Sequence, residues 1–425
     1  MKITRVIARE IYNSRGLPSL ECEIVLEDGH SVIGSVATGA SVGSHEAKLL
    51  LDEKDKRMFG RGVHRAIDVI EQTIAPLLIG RKPDAVNIDM ELIALDGTED
   101  KSRLGANTTL AISKAMYKAH AYCENLELYQ FIAHLCGFES VMLPRPFINL
   151  INGGMHASNN LLIQEYMIVP IGAHDFRSSY ENSVAVFFAL KKVLEKYDKS
   201  TLLGDEGGFA PLCSTILEPL DYILEAIESV SSTLGISNDY FALALDIAAT
   251  QFYDNSTKKY LIGNESYSSD EMIEWYVDML GEYPICSIED GLAEDDFDGW
   301  QTMTKILGKQ VQLVGDDLFA TNNARIAHAI DTDMANTVII KPSQIGTVTE
   351  SIQGLRMCQE NDYNVIASHR SGETEDTFIS DFAVGTCAGQ IKIGGCARGE
   401  RVSKYNRLLR IEDKLADSLL EPLDI

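Results

Sequence analysis

Apolar and polar residues follow one period at the start of this chain and another after it. The early residues, 1 to about 60, alternate as strands do: Leu20-Glu21-Cys22-Glu23-Ile24-Val25-Leu26 runs into the turn Glu27-Asp28-Gly29, and residues 31–36 supply a hairpin partner. From Arg61 to about Leu135 the spacing is helical, as in residues 106–122 and in the series Val63, Ile67, Ile70, Ile74. Gly137, Pro144 and Pro146 then mark a boundary. Beyond it short apolar runs recur at residues 147–152, 162–169, 242–246, 285–289, 311–316, 337–341, 365–369 and 390–392. Most of the intervals between the later runs fit one strand, one helix and two loops. Parallel strands alternating with helices are expected, and eight such runs predict a closed barrel. The predicted fold is therefore α/β, with a C-terminal eight-stranded TIM-like barrel over residues 144–425. A smaller α+β domain, residues 1–135, precedes it as a cap.

Length and charge narrow the function. The chain has 425 residues, with 37 Lys and Arg against 63 Asp and Glu, a formal charge of −26. Such a field repels phosphate backbones and anionic lipid surfaces, and no basic cluster offsets it locally, so neither nucleic acid nor membrane insertion is expected. The same carboxylates suit divalent cations, although most of them simply keep a surface soluble. Arg5, Arg9 and Glu10 stand where a signal peptide needs its apolar region, and no stretch reaches bilayer-spanning length. A cytoplasmic location is expected. Eight cysteines without a C-x-x-C pair read as buried reduced thiols rather than disulfides or a zinc site.

In a barrel of this kind the carboxyl ends of the strands converge on one mouth, which would gather Asp246, Glu289, Asp316, Lys341, His369 and Lys392. Each acid alone reads equally well as a strand or helix cap. Three in register would crowd like charges that coexist only beside a cation, and hard oxygen ligands select Mg²⁺. Lys341 closes the apolar run Val338-Ile339-Ile340, so it is held with little freedom. Near a metal and Lys392 it could lose its proton and act as a base; an ion pair to a strand-end acid is the other reading. Gly204-Asp205-Glu206-Gly207-Gly208 lifts acids on a glycine-rich turn, and Gln164-Glu165 ends another strand-like run. An acid there with a raised pKa could protonate a leaving group, and the turn reads equally as a capped loop. Ser368-His369-Arg370-Ser371-Gly372 groups guanidinium, hydroxyl and backbone donors suited to a phosphate. His156 follows another strand end, where a lone histidine is more often structural. Gly39-Ala40-Ser41-Val42-Gly43 could close over the mouth and add an oxygen ligand, or be a plain loop.

Taken in order, a dozen stretches resemble the enolase, or phosphopyruvate hydratase, family over nearly the whole chain. They include Asn13-Ser14-Arg15-Gly16, Gly39-Ala40-Ser41, Leu104-Gly105-Ala106-Asn107, Asn152-Gly153-Gly154-Met155-His156-Ala157, Gln164-Glu165-Tyr166-Met167-Ile168, Ser287-Ile288-Glu289-Asp290, Val314-Gly315-Asp316-Asp317-Leu318 and Lys404-Tyr405-Asn406. The resemblance implies a glycolytic lyase that interconverts 2-phosphoglycerate and phosphoenolpyruvate with two Mg²⁺ per site. It implies that Asp246, Glu289 and Asp316 hold the first ion, and that Ser41 with the substrate holds the second. Lys341 would abstract the C2 proton, and Glu206 assisted by Glu165 would protonate the departing C3 hydroxyl. Arg370 and Ser371 would grip the phosphate, Lys392 would pair with the carboxylate, and His156 and His369 would line the pocket. A homodimer or a higher assembly of dimers is implied as well.

The chain also departs from the family pattern. Lys341-Pro342-Ser343-Gln344 stands where Lys-x-Asn-Gln is usual, Gly291 replaces a proline, and Arg398-Gly399-Glu400-Arg401 replaces Arg-Ser-Glu-Arg. The loop reads Ala37-Thr38-Gly39-Ala40-Ser41-Val42-Gly43 rather than Pro-Ser-Gly-Ala-Ser-Thr-Gly, and the usual Gly-x-Asn-Phe ending is absent. No reacting group is lost. Two alternatives follow: a paralogue acting on another phospho- or phosphono-carboxylate, and a polypeptide-binding protein built on an enolase surface.

Overall fold

The structure, a computed structural model, describes residues 1–39, 43–415 and 420. Three antiparallel strands open the chain: β1 (Ile3–Tyr12), β2 (Pro18–Leu26) and β3 (Ser31–Ser35). The expected hairpin is β2–β3, with Val25 opposite Ser31 and Glu21 opposite Ser35. β1 adds a third strand, whereas residues 43–60 form none. The helix Ala106–Cys123 packs on β2 and β3 so closely that a Cβ at Gly34 would lie 2.4 Å from the Ala111 carbonyl oxygen. Only glycine lets this helix and sheet meet. Val63, Ala66, Ile70 and Ile74 bury one stripe of the preceding helical stretch against the same core.

The second part closes a barrel from β4 (Arg145–Asn152), β5 (Glu165–Val169), β6 (Ala242–Asp246), β10 (Ile285–Glu289), β11 (Gln312–Gly315), β12 (Thr337–Ile340), β13 (Asn364–Ser368) and β14 (Gly389–Lys392). A small outlying sheet, β7 (Tyr253–Asp254), β8 (Lys259–Ile262) and β9 (Glu265–Tyr267), interrupts the sequence between β6 and β10. Alternate residues of the staves face inward and pack as a separate apolar plug: Phe147, Met167, Val169, Ala242, Ala244, Cys286, Val314, Ile339 and Ile366. Beneath it the side chains of Gln312 and Gln390 exchange two hydrogen bonds of 2.9 Å.

One expectation is corrected. The staves are not all parallel, because β5 runs antiparallel to both β4 and β6. The chain leaves β4 through a loop whose only helix is the single turn Gly154–His156, too short to carry it back to the barrel's other end. It therefore enters β5 from the mouth. Two helices, Phe176–Lys196 and Glu218–Leu234, then pack on one another before β6 begins.

All eight cysteines are free, and five of them are buried. Among the described residues no helix is long and apolar enough to cross a membrane.

Candidate active site

Strand ends bring the charged groups together. Asp246, Glu289 and Lys392 are the last residues of β6, β10 and β14, while Asp316, Lys341 and His369 directly follow β11, β12 and β13. Glu165 opens the reversed β5, in register with Asn152 and Asp246, and so reaches the same mouth from the start of a strand. Glu206 lies on the connection between the two packed helices. Together with His156, Arg370, Ser371, Gln164, Glu46 and Asp317, nearly all of these residues line one cavity. Glu289 stands behind it, in contact with Lys392. Ser41 lies outside the described residues.

Two lysines divide the acids between them. Lys392 Nζ reaches the Glu289 oxygens at 2.7 and 2.8 Å, and Asp246 and Glu165 at 3.2 Å each. Lys341 pairs with Asp316, whose other oxygen accepts a 3.0 Å bond from Gln344. The trio thus surrounds ammonium groups. Among the described residues, the sets at this mouth whose ligand atoms lie within 4.8 Å of one another are His156, Glu165, Glu206, all buried, and Asp290, Asp316, Asp317, of which Asp316 is half-buried.

Burial and mutual repulsion set the proton affinities. Burial pushes Glu289 up to about 8, with the charge of Asp246 adding to it and Lys392 opposing; burial and Asp316 do the same to Asp317, also to about 8. Burial alone would lower Lys341, but Asp316 outweighs it and the ammonium is held above its ordinary value. The ion pair is therefore what the structure displays, and while it lasts Lys341 is no base. Carboxyls forced up by burial and by one another are the donor set that a dication relieves, and hard oxygens suit Mg²⁺. Buried Gln164 Oε1 and Glu165 Oε2, both without a hydrogen-bond partner among the described residues, add oxygen donors at the same rim. The residues fit such an ion.

Glu165 and Glu206 form a second unit around His156, whose Nδ1 lies 3.5 Å from each. Burial and the charge of Glu206 raise Glu165 well above the carboxylate range. Glu206 is equally buried, yet His156, His369 and Arg401 hold it well below that range. Burial pushes His369 down to about 4, so near neutral pH its ring acts on Glu206 as a dipole rather than a charge. The two carboxyls are thus pushed in opposite directions, Glu165 toward its protonated form and Glu206 toward its ionised one.

The turn after β13 is fixed from two sides. Thr38 and Gly372 exchange backbone bonds of 2.9 and 2.8 Å, and a Cβ on Gly372 would come within 2.7 Å of the Thr38 oxygen. Arg401, fully buried, donates to the backbone oxygens of Arg370 at 2.7 Å and Ser371 at 2.6 Å, and to His369 Nδ1 at 2.7 Å. Because a guanidinium only donates, that ring nitrogen is an acceptor, and the remaining proton sits on Nε2, 3.4 Å from Glu206.

Residues 3–132 match the family described as "Enolase, N-terminal domain", and residues 140–420 match "Enolase, C-terminal TIM barrel domain". The chain belongs to the enolase family. Curated relatives agree: a protein named Enolase from Ehrlichia canis is 46% identical over 97% of this chain and 96% of its own length. Another from Anaplasma marginale is 47% identical over 99% and 96%, and one from Ehrlichia chaffeensis is 46% identical over 98% of each chain. This enolase-family chain is accordingly a hydro-lyase, a phosphopyruvate hydratase.

Several residues of this enolase-family site were missed by sequence reasoning. Asp290 caps the neighbouring turn, accepting the Asp316 and Asp317 amides at 2.9 Å each. Both Asp290 and Asp317 directly follow a predicted ligand, and that adjacency was a usable signal. Glu46 pairs with Arg370 across 324 positions of sequence, which no local pattern reveals.

Proposed function

We propose that this mouth dehydrates 2-phosphoglycerate to phosphoenolpyruvate, reversibly and as a step of glycolysis, in a cytoplasmic homodimer. The observation that carries the reading is the meeting of Lys341 with Asp316, and of Lys392 with Asp246 and Glu289, at one opening.

Asp246, Glu289 and Asp316 would hold a first Mg²⁺, and Ser41 with the substrate a second. Bound there, the ions would supply electrostatic relief for the charge that builds on the substrate carboxylate, roughly 8 kcal/mol each at about 4 Å and an effective dielectric of about 20. A lysine base beside Mg²⁺ is general to the enolase superfamily. Lys341 takes the C2 proton. Lys392 pairs with the substrate carboxylate. Arg370 and Ser371 hold the phosphate. The dyad of Glu165 and Glu206 keeps one proton within the cavity and delivers it to the C3 hydroxyl as that group leaves as water; the raised pKa of Glu165 supports this. His156 and His369 fix the two carboxyls.

A second reading keeps this chemistry and changes the substrate to another phospho- or phosphono-carboxylate. It is favoured by Ser343, which stands where the family usually has asparagine and whose Oγ accepts a 3.1 Å bond from Arg370 Nη1. Incubation with 2-phosphoglycerate and Mg²⁺, followed by ultraviolet absorbance of the conjugated enol, decides between them. Turnover at nanomolar enzyme is expected; silence at micromolar enzyme would reject the first reading.

A further inference from the structure

Glu46 is almost wholly buried, and so is the guanidinium it meets. Arg370 grips it with both terminal nitrogens: Nη1 donates to Oε2 and Nη2 to Oε1, each at 2.9 Å. This is the planar two-point match between guanidinium and carboxylate, which fixes orientation as well as distance. Nη1 also donates to Ser343 Oγ at 3.1 Å. One edge of the fork is thereby tied to two partners on different segments of the chain. Glu46 itself is held in turn, because its Oε1 accepts the Gly43 amide at 3.1 Å and its own amide donates to the Gly43 oxygen at 3.2 Å. The next residue is anchored too, Ala47 donating its amide to the Gln344 oxygen at 2.8 Å. Gln344 carries the link onward to Asp316, at 3.0 Å, and Thr321 donates to its side-chain oxygen at 2.6 Å.

Arginine has many rotamers, and a long side chain left to choose among them would blur the distance between a bound phosphate and the reacting carbon. Here the choice is made by an acid from the N-terminal part of the chain. We infer that Glu46 is a positioning residue: by clamping Arg370 it sets where the phosphate of the substrate sits relative to Lys341 and the strand-end acids. The inference rests on the assignment of Arg370 to the substrate phosphate. Ser343 supplies a second, weaker tether at a position where this chain departs from its relatives' usual pattern. Glu46 touches no reacting atom in this scheme and acts only through Arg370.

The test is a kinetic cycle with 2-phosphoglycerate on the full chain, with inorganic phosphate as a competing probe. Glu46→Gln keeps the shape and removes the charge of the clamp, and is expected to raise KM and the phosphate inhibition constant about tenfold or more, with kcat changed less than about threefold. Ser343→Ala should shift both constants in the same direction by about twofold to threefold. Arg370→Gln should itself raise KM strongly, and adding Glu46→Gln to it should change little further. Multiplying effects in the double variant, or a fall in kcat at unchanged KM, would overturn the role. If Glu46→Gln does not fold, Glu46→Asp, which keeps the charge and withdraws it by one methylene, must show the same KM-selective loss or the inference fails. Should the unmodified chain turn over no 2-phosphoglycerate, the functional reading falls by itself. Calorimetric binding of inorganic phosphate, weakened by Glu46→Gln only when Arg370 is present, still judges the clamp.

Discussion

Ile339 and Lys341 stand two residues apart on one stave, facing the same interior, in opposite physical regimes. Ile339 is fully buried in the apolar plug with Val314 and Ile366, where shape and dispersion decide everything. Lys341 is one step nearer the mouth, where its partner is the buried charge of Asp316. The same contrast recurs between Ala244 and Asp246 on β6, and between Val314 and Asp316 along β11. The stave is therefore a rigid support whose stability is generated below, leaving its tip to hold groups that repel one another.

The comparison breaks most sharply at Lys341. Lys341→Ala is expected to lower kcat for 2-phosphoglycerate by about a thousandfold or more while circular dichroism still reports a folded barrel. Retained turnover would mean that the mouth carries no base at this position. Two residues back the outcome should invert: Ile339→Ala removes plug volume and is expected to cost about 2–5 kcal/mol in urea unfolding, with kcat at low temperature within a few fold of the parent. A large kcat loss without destabilisation would merge the two regimes.

A buried acid remote from the mouth sharpens the contrast further. Asp89 Oδ2 accepts from Ser113 at 2.8 Å and from Thr349 at 2.7 and 3.0 Å, while Oδ1 is buried without a partner among the described residues. Burial pushes this carboxyl up to about 6 against those bonds. Its folded-state pKa lies above the unfolded value of about 4, so between pH 4 and 6 the native state holds a proton that the unfolded chain has lost. Stability from this group is complete below about pH 4 and is lost as pH rises through about 6. The loss totals at most about 3 kcal/mol. Chemical unfolding of the parent and of Asp89→Asn across this window should show that extra decline only in the parent.

Much of this site was legible because βα periodicity exposes strand ends: Asp246, Glu289, Asp316, Lys341 and Lys392 each close an apolar run. The hairpin β2–β3 was legible for the same reason, its turn residues standing between two alternating runs. The direction of β5 was not, since an apolar run reads alike in either sense and only the missing helix after β4 reveals the reversal. Nor could one chain segment announce that Glu46 would face Arg370, because that contact exists only after the two parts of the chain have docked. The upward shift of Lys341 belongs to the same class, a product of a neighbour rather than of its own surroundings in sequence.

Turning one stave upside down has a mechanical consequence at the rim. A descending β5 sends the following helix, Phe176–Lys196, back upward, so that the link to Glu218–Leu234 emerges at the mouth instead of the far end. Glu206 rides on that link, while its companion Glu165 is built into the cylinder wall. The arm is laced to the wall all the same, because its Phe209 donates its amide to the Leu150 oxygen and accepts the Asn152 amide, each at 2.8 Å, so one carboxyl is built into the cylinder and the other is tied to it from outside.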